Sequence, residues 1–393
     1  MRYLTLACAS GSKTNLNLTA RLTDWLRTVL VERPVPRSVA SLRINRRRKA
    51  AIALSVAVAA VVFFQLALGI AAECSLYIRD PGYSDKEVRL ARQEALIPGT
   101  PRVVMLGTSR TSAAFHAGRV REQLGGRAVV FNFGIPASGP ITHIIYLKRL
   151  LADGHRPDLL ILEVLPPTLM DLPAGPTTPA GPLEGRFFFG DRMRHGELDA
   201  AIDYGFPADD VRRKWKQSIA VPWYALRFPI MGRVMPSASP WHLRFDWSRG
   251  CDEFGWGGSL MNAVTPEQFA KGLQQAQGEY RAILADLKPN GGGARALADV
   301  LELCRAEKIA VRLVLMPEAS GFRAMYSPEV LQRVHGFLNG LCMKYDCTLT
   351  DAREWLPDSG FSDGHHMLKS GAEAFSDRLN REVIEPLIHR VLR

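Results

Sequence analysis

Ala50 to Ala72 restricts this chain more than any other stretch: 23 consecutive residues with no charge and only Ser55 and Gln65 clearly polar. As a helix rising about 1.5 Å per residue, such a run crosses the roughly 30 Å hydrocarbon layer of a bilayer. Arg46-Arg47-Arg48-Lys49 precedes it directly, and Glu73, Asp80 and Asp85 follow. The preference of basic residues for the cytoplasmic side predicts residues 1–49 inside and everything after Ala72 outside the cytoplasmic (inner) membrane. A buried core helix would carry a polar stripe, which this run lacks. A cleaved signal peptide would have a shorter apolar run, although Gly69-Ile70-Ala71 has the small residues of a cleavage site. Glu73 before Cys74 spoils a lipoprotein-type site. We read residues 50–72 as an uncleaved single-pass anchor, with the lipid bilayer as the first expected partner.

The anchor also accounts for the charge. The 393 residues hold 50 Lys+Arg and 39 Asp+Glu, a net +11. Residues 1–49 contain eleven of the basic residues and two acidic ones, Asp24 and Glu32, so +9 lies in this arm. Basicity confined to the flank of a membrane span does not call for nucleic acid. Gly11-Ser12-Lys13-Thr14 has the end of a phosphate-binding loop without its upstream glycine or a preceding strand. The cysteines, at 8, 74, 251, 304, 342 and 347, form no C-x-x-C pair and no zinc spacing. They read as structural thiols, although Cys342 and Cys347 are close enough in sequence to bridge. No H-E-x-x-H is present, and neither a metal nor a cofactor is expected.

Residues 73–99 read as a helical stalk broken at Pro98-Gly99. Short apolar runs then alternate with amphipathic stretches. Strands are predicted at Arg102–Leu106, Ala128–Phe133, Asp158–Val164, Ile309–Met316 and Cys347–Thr350. Helices are predicted at Thr111–Leu124, Ile141–Asp153, Gly292–Lys308, Pro328–Lys344 and Gly371–Leu392. Buried strands alternating with helices predict an α/β fold, a doubly wound, flavodoxin-like parallel sheet of five strands, made from residues 100–165 and 259–393. Ligands of such sheets bind beyond the carboxyl ends of the strands. Residues 166–258 form an insertion that holds Trp215, Trp223, Trp241, Trp247 and Trp256. We expect it to cap the strand ends with aromatics that stack on a sugar or another flat apolar face; the alternative is that these residues form the insertion's own small core. Arg212 to Lys216 reads as a solvated helix face.

Ser109 follows the first strand and opens a helix, where free backbone N–H groups can receive an oxyanion. A seryl hydroxyl needs a general base, and Ser362-Asp363-Gly364-His365-His366 supplies one near the C-terminus. Asp363, three residues before His366, can reach the far nitrogen of its imidazole. These blocks resemble the SGNH (GDSL-like) hydrolase superfamily. Gly107-Thr108-Ser109 matches the nucleophile block with Thr in place of Asp, and Asp363-Gly364-His365-His366 matches the D-x-x-H block. The resemblance implies Ser109, His366 and Asp363 as a catalytic triad and Gly134, in Asn132-Phe133-Gly134, as an oxyanion donor. The Asn usual after the third strand is replaced by Glu163-Val164-Leu165-Pro166. Glu163 is then either a site carboxylate or the partner of Arg110. Asn132 reads as a brace for the loop, and Asn132, Arg110 and Glu163 join Gly134 as candidate oxyanion or substrate-binding residues. His365 is expected to point the other way, and His116, His143, His155 and His195 have no evident partners.

With the anchor, the blocks are most similar to the membrane-attached SGNH-like branch, whose relatives assist acylation of cell-surface polymers. The resemblance implies a membrane-anchored serine acyltransferase or esterase acting on O-acyl groups of cell-envelope glycans, with a membrane-bound acyltransferase as a further partner. The competing reading is a non-catalytic accessory or glycan-binding protein on the same fold. An α/β-hydrolase is disfavoured because no G-x-S-x-G elbow occurs.

Overall fold

The computed structural model describes residues 37–175, 180–184, 192–235, 237, 250–258 and 262–391. Gly11-Ser12-Lys13-Thr14, most of the basic arm, Trp241 and Trp247 lie outside the described residues. The chain divides into two units, residues 1–64 and 65–393. What is described of the first is helix α1 (Arg37–Cys74), which runs on into the second unit. Its segment Asn45–Cys74 is long and apolar enough to cross a membrane. Ile52, Leu54, Val61 and Phe63 are all exposed, so the helix is apolar all round rather than on one stripe.

In the second unit, α2 (Pro81–Leu96) starts on Asp80, whose carboxylate accepts from Tyr83 N at 3.3 Å. The segment expected to be a stalk is packed: Tyr83 and Leu90 are buried in the main core. Lys86, also buried, donates from Nζ to Asn132 O at 2.9 Å and Gly255 O at 2.6 Å. The sheet and its helices follow: β1 (Arg102–Gly107), α3 (Ser109–Ala114), α4 (Ala117–Gln123), β2 (Val129–Gly134), α5 (Pro140–Ala152) and β3 (Leu159–Val164). The insertion contributes α6 (Ala208–Ala220) and α7 (Pro222–Val234). Next come α8 (Pro266–Ala285), α9 (Gly292–Ala306), β4 (Ala310–Leu315), α10 (Pro328–Tyr345), β5 (Thr348–Asp351) and α11 (Lys369–Leu379).

All five strands are parallel, in the order β2-β1-β3-β4-β5. This is the doubly wound, flavodoxin-like order expected, and its strand order reverses at β1 and β3. Alternate residues enter opposite cores: Val104, Leu106, Leu160 and Leu162 on one face, Val103, Met105, Leu159 and Ile161 on the other. Helices on both faces explain why these strands are near-continuous apolar runs.

Two elements differ from the sequence reading. The helix predicted over Thr111–Leu124 is two, with Phe115 extended between them. Asn132 Nδ2 donates to Thr111 O and Phe115 O, both at 2.8 Å, and Ser376 Oγ accepts from His116 N at 2.8 Å. These side chains supply bonds that a continuous helix would have made internally. The second is α8, which apolar periodicity did not reveal, because only Ala276, Ile283 and Leu284 of its 20 residues are buried. Cys342 and Cys347 are free thiols with Sγ atoms 3.2 Å apart.

Candidate active site

β1 ends at Gly107, where a side chain would not fit. A Cβ there would meet Thr111 Oγ1 at 2.0 Å and Glu163 Oε2 at 2.4 Å. Thr108 then caps α3, its Oγ1 accepting from Arg110 N at 3.1 Å, and Ser109 is the first helical residue. Under this turn lies the buried carboxylate of Glu163. It accepts from Thr108 N (2.8 Å), Thr108 Oγ1 (2.9 Å), Thr111 N (3.2 Å) and Thr111 Oγ1 (2.6 Å). Arg110 is equally buried, with Nε 3.9 Å from Glu163 Oε1 and Nη2 donating to Met316 O and Pro317 O. Both charged side chains therefore hold the Ser109 turn from below. The sequence named both as candidate binding groups: the carboxylate of Glu163 is committed inside the protein, whereas Arg110, whose Nε has no hydrogen-bond partner among the described residues, also lines the cavity at Ser109.

Ser109 Oγ lies 2.8 Å from His366 Nε2, although the two residues are 257 positions apart. His366 Nδ1 lies 2.7 Å from Asp363 Oδ2. Because a carboxylate only accepts, Nδ1 carries the ring proton and Nε2 presents a lone pair to the serine. Asp363 Oδ1 accepts from His366 N at 2.8 Å, and Ser362 N donates to His366 O at 2.9 Å, so a short loop fixes both groups. Burial pushes the Asp363 carboxyl up. The hydrogen bonds from His366, with the electrostatic attraction of the two neighbouring imidazoles, outweigh it and hold Asp363 well below the usual carboxylate range.

His365 does not point away. It lines the same cavity, with its ring 5.7 Å from that of Tyr280 and 5.2 Å from that of Phe322. Burial, reinforced by His366, pushes it down to about 3, which keeps the ring neutral. The ligand atoms of Asp363, His365 and His366 lie within 4.8 Å of one another, a spacing that a metal ion could use. Both ring nitrogens of His366 are already bonded, so a cation there would displace serine or aspartate.

The cavity, about 460 Å³, is lined by Thr108, Ser109, Ala137, Ser138, Asp363 and His366, by Leu165 and Thr168 after β3, by Leu183 and Glu184 of the insertion, and by Gly272, Gln275, Ala276, Glu279 and Tyr280 of α8. It opens beyond the carboxyl ends of β1 and β3, as the strand order requires. Gly272 lets α8 approach: a Cβ there would be 2.7 Å from Asp363 Cβ. Glu184 accepts from Ile141 N, Thr142 N and Thr142 Oγ1 at the start of α5. Burial pushes its carboxyl up to about 7 against these donors.

The expected oxyanion donor is not in position. Gly134 N donates to Asn132 Oδ1 at 2.8 Å, and neither residue lines the cavity. Asn132 braces the α3–α4 junction. Ala137 was missed. It lines the cavity in the left-handed region (φ 58°), in the turn closed by Ser138 N to Ile135 O. Such strain in a residue other than glycine concentrates at functional sites. Among the described residues, neither Ala137 N nor Ser109 N has an internal acceptor. The expected aromatic lid is also corrected for its described residues. Trp256 stacks on His116 at 3.8 Å and donates from Nε1 to Ala113 O at 2.8 Å, and Trp223 lies on α7; neither lines the cavity. The four histidines without evident partners in the sequence have them: His155 lies between Glu94 (2.7 Å) and Glu87 (3.1 Å), His143 beside Ser138, His116 against Trp256 and His195 against Trp215.

No protein-family model and no curated protein matches this chain. Among solved structures, it is similar to a Streptococcus pneumonia protein named for platelet activating factor, at 12% identity and a TM-score of 0.31, covering 76% of this chain and 92% of that one. It is also similar to a point mutant of the esterase AlinE4, at 12% identity and a TM-score of 0.30, with 74% and 97% covered. A third is an α/β hydrolase enzyme from the metagenome of Lake Arreo, Spain, at 9% identity and a TM-score of 0.30, with 70% and 92% covered. Likenesses this weak carry no weight for activity, which has to be argued from the site itself.

Proposed function

We propose that this chain is a membrane-anchored, SGNH-like serine enzyme that transfers or hydrolyses O-acyl groups of glycans outside the cytoplasmic membrane. The observation that carries the reading is the continuous relay from Ser109 Oγ through His366 to Asp363, 2.8 Å and 2.7 Å, at the wall of one cavity. Ser109 Oγ attacks the acyl carbonyl while His366 Nε2 takes its proton, and Asp363 stabilises the imidazolium. The N–H groups of Ser109 and Ala137 receive the oxyanion. Collapse releases the alcohol, which regains the proton from His366, and leaves a seryl ester. Water completes hydrolysis; a second sugar hydroxyl completes transfer. The polar rim formed by Gln275, Glu279 and Tyr280 suits a polyhydroxylated ligand. The basic flank before Ala50 supports export of the domain, and a membrane-bound acyltransferase is the further partner we assign.

The test is turnover of an aryl acetate by the full chain in detergent. Ser109→Ala should lower kcat by at least about a thousandfold without loss of folding. Undiminished turnover in Ser109→Ala would reject the serine mechanism and favour a glycan-binding accessory protein.

A further inference from the structure

Helix α7 (Pro222–Val234) has no evident reason to exist in a water-soluble domain. Its only charged residues are Arg227 and Arg233. Val221, Trp223, Tyr224, Val234 and Met235 are exposed, Trp223 at 41% and Tyr224 at 65%. Positions 223/224, 227/228, 231 and 234/235 recur at helical spacing, so they form one continuous face. Water would be a poor solvent for a face of this size.

The α6–α7 turn runs beside the end of the apolar span. Trp223 N donates to Gln65 Oε1 at 3.1 Å. At Gly69 an added Cβ would lie 3.3 Å from Ile219 O and 3.7 Å from Pro222 Cγ. Arg79 links the next turn, donating from Nε to Ala72 O at 3.1 Å and from Nη1 to Ser218 Oγ at 3.2 Å. Along this stretch Gly69 and Ala72 are buried, while Leu66 and Ile70 remain exposed on the other side of the helix. From Gln65 to Ala72 is about 10 Å along the helix axis. If Ala72 ends the hydrocarbon span, the start of α7 lies about that far inside it, near the 5–10 Å depth of interfacial helices.

We propose that α7 is seated in the membrane, with its Trp223–Met235 face in the leaflet where the α1 span ends. This rests on reading Asn45–Cys74 as a span, and not on the acyl-transfer chemistry. Lipid is the occupant because α7 starts against Gln65–Ala72, the end of the apolar span, where Leu66 and Ile70 are exposed as well. The pairing of Gln65 with Trp223 N supports it. In hydrocarbon, both an amide oxygen and the open N–H groups at a helix start need partners, and here each satisfies the other. It also explains an amide in an otherwise apolar run. Arg227 lies over the rings of Tyr224 and Phe228 at 3.9 Å and 4.4 Å, an arrangement suited to the headgroup boundary.

The full chain in vesicles of phosphatidylcholine, with and without bromine on the acyl chains, tests this. The fluorescence difference between wild type and Trp223→Phe isolates one tryptophan. We expect that component to be quenched by the brominated lipid and shielded from acrylamide in the water. A chain that floats with the vesicles but keeps Trp223 open to acrylamide and indifferent to bromine overturns the seating, and leaves the face for a protein partner. A chain that does not float overturns the span and the seating together. A nitroxide attached at Tyr224→Cys, in a variant lacking the exposed Cys74, reports depth independently if Trp223→Phe disturbs the turn.

Discussion

Around Ser109 the chain is fixed by buried charge, whereas around His366 it is fixed by a short loop and a packed helix. Glu163 receives four hydrogen bonds from the Ser109 turn and lies beside Arg110, with both charged groups buried. The base loop is half-exposed and leans on Gly272 of α8. A buried charge network is rigid but fails severely when one member is removed. A loop held by packing tolerates substitution better and leaves its side chains free for chemistry. The comparison therefore predicts that changes at the base end cost activity, and changes under the nucleophile cost folding.

The largest effect is expected at the base end. Asp363→Asn keeps the shape and replaces a pure acceptor with an amide that can present a donor to His366 Nδ1, favouring the wrong tautomer. Turnover of an aryl ester should fall by about three to four powers of ten, with the melting temperature little changed. A loss of only a few-fold would mean that Asp363 serves the loop and not the imidazole.

Under the nucleophile, Glu163→Gln should do the reverse in emphasis. It places an amide among four donors and leaves Arg110 with a weaker partner. Unfolding in urea should show a loss of about 3–5 kcal/mol. Where the variant still folds, kcat should fall with KM unchanged, because Glu163 positions the turn and touches no substrate. A rise in KM alone would return Glu163 to the substrate-binding role first considered for it.

These two ends were not equally legible in the sequence. Gly107, Ser109, Asp363 and His366 could be read because each lies in a short block whose residue types are tied to its own local geometry. The five-stranded sheet could be read because both of its faces are buried, which leaves unbroken apolar runs. Gly134 was misassigned because its N–H is taken by Asn132, a contact two residues away that spacing does not reveal. Ala137 was missed because nothing in its residue type announces a positive φ; Pro136 at the preceding turn position was the available hint. Helix α8 was missed because most of its residues face solvent or the cavity, although Thr265-Pro266-Glu267-Gln268 is a capping box with proline at N1.

Glu184 sharpens the comparison, since it is a buried carboxylate without a cationic partner among its hydrogen bonds. Its carboxyl is raised to about 7, chiefly by burial. An unfolded glutamate titrates near 4.3. The folded chain thus binds the extra proton between these values, and the stability this gives is complete below about pH 4 and lost as pH rises through 7. Stability should fall by at most about 3 kcal/mol from pH 5 to pH 8. Glu184→Gln should flatten that slope, measured by urea unfolding at both values; an unchanged slope would locate the titration elsewhere.

The smallest effect is expected at Trp256, where the insertion's aromatic side chains can be tested as structure or as binding surface. Its ring is stacked on His116, and its Nε1–H bonds to Ala113 O at the end of α3. Trp256→Phe keeps most of the stacked area and removes the donor. The expected loss is about 1 kcal/mol, the ordinary value of one such hydrogen bond. Because Trp256 does not line the cavity, kcat and KM for an acylated sugar should both stay within about twofold of wild type. A variant of unchanged stability and severalfold higher KM would mean that Trp256 meets the ligand, and that the insertion closes over the site in a way the hydrogen bond to Ala113 does not permit in this arrangement.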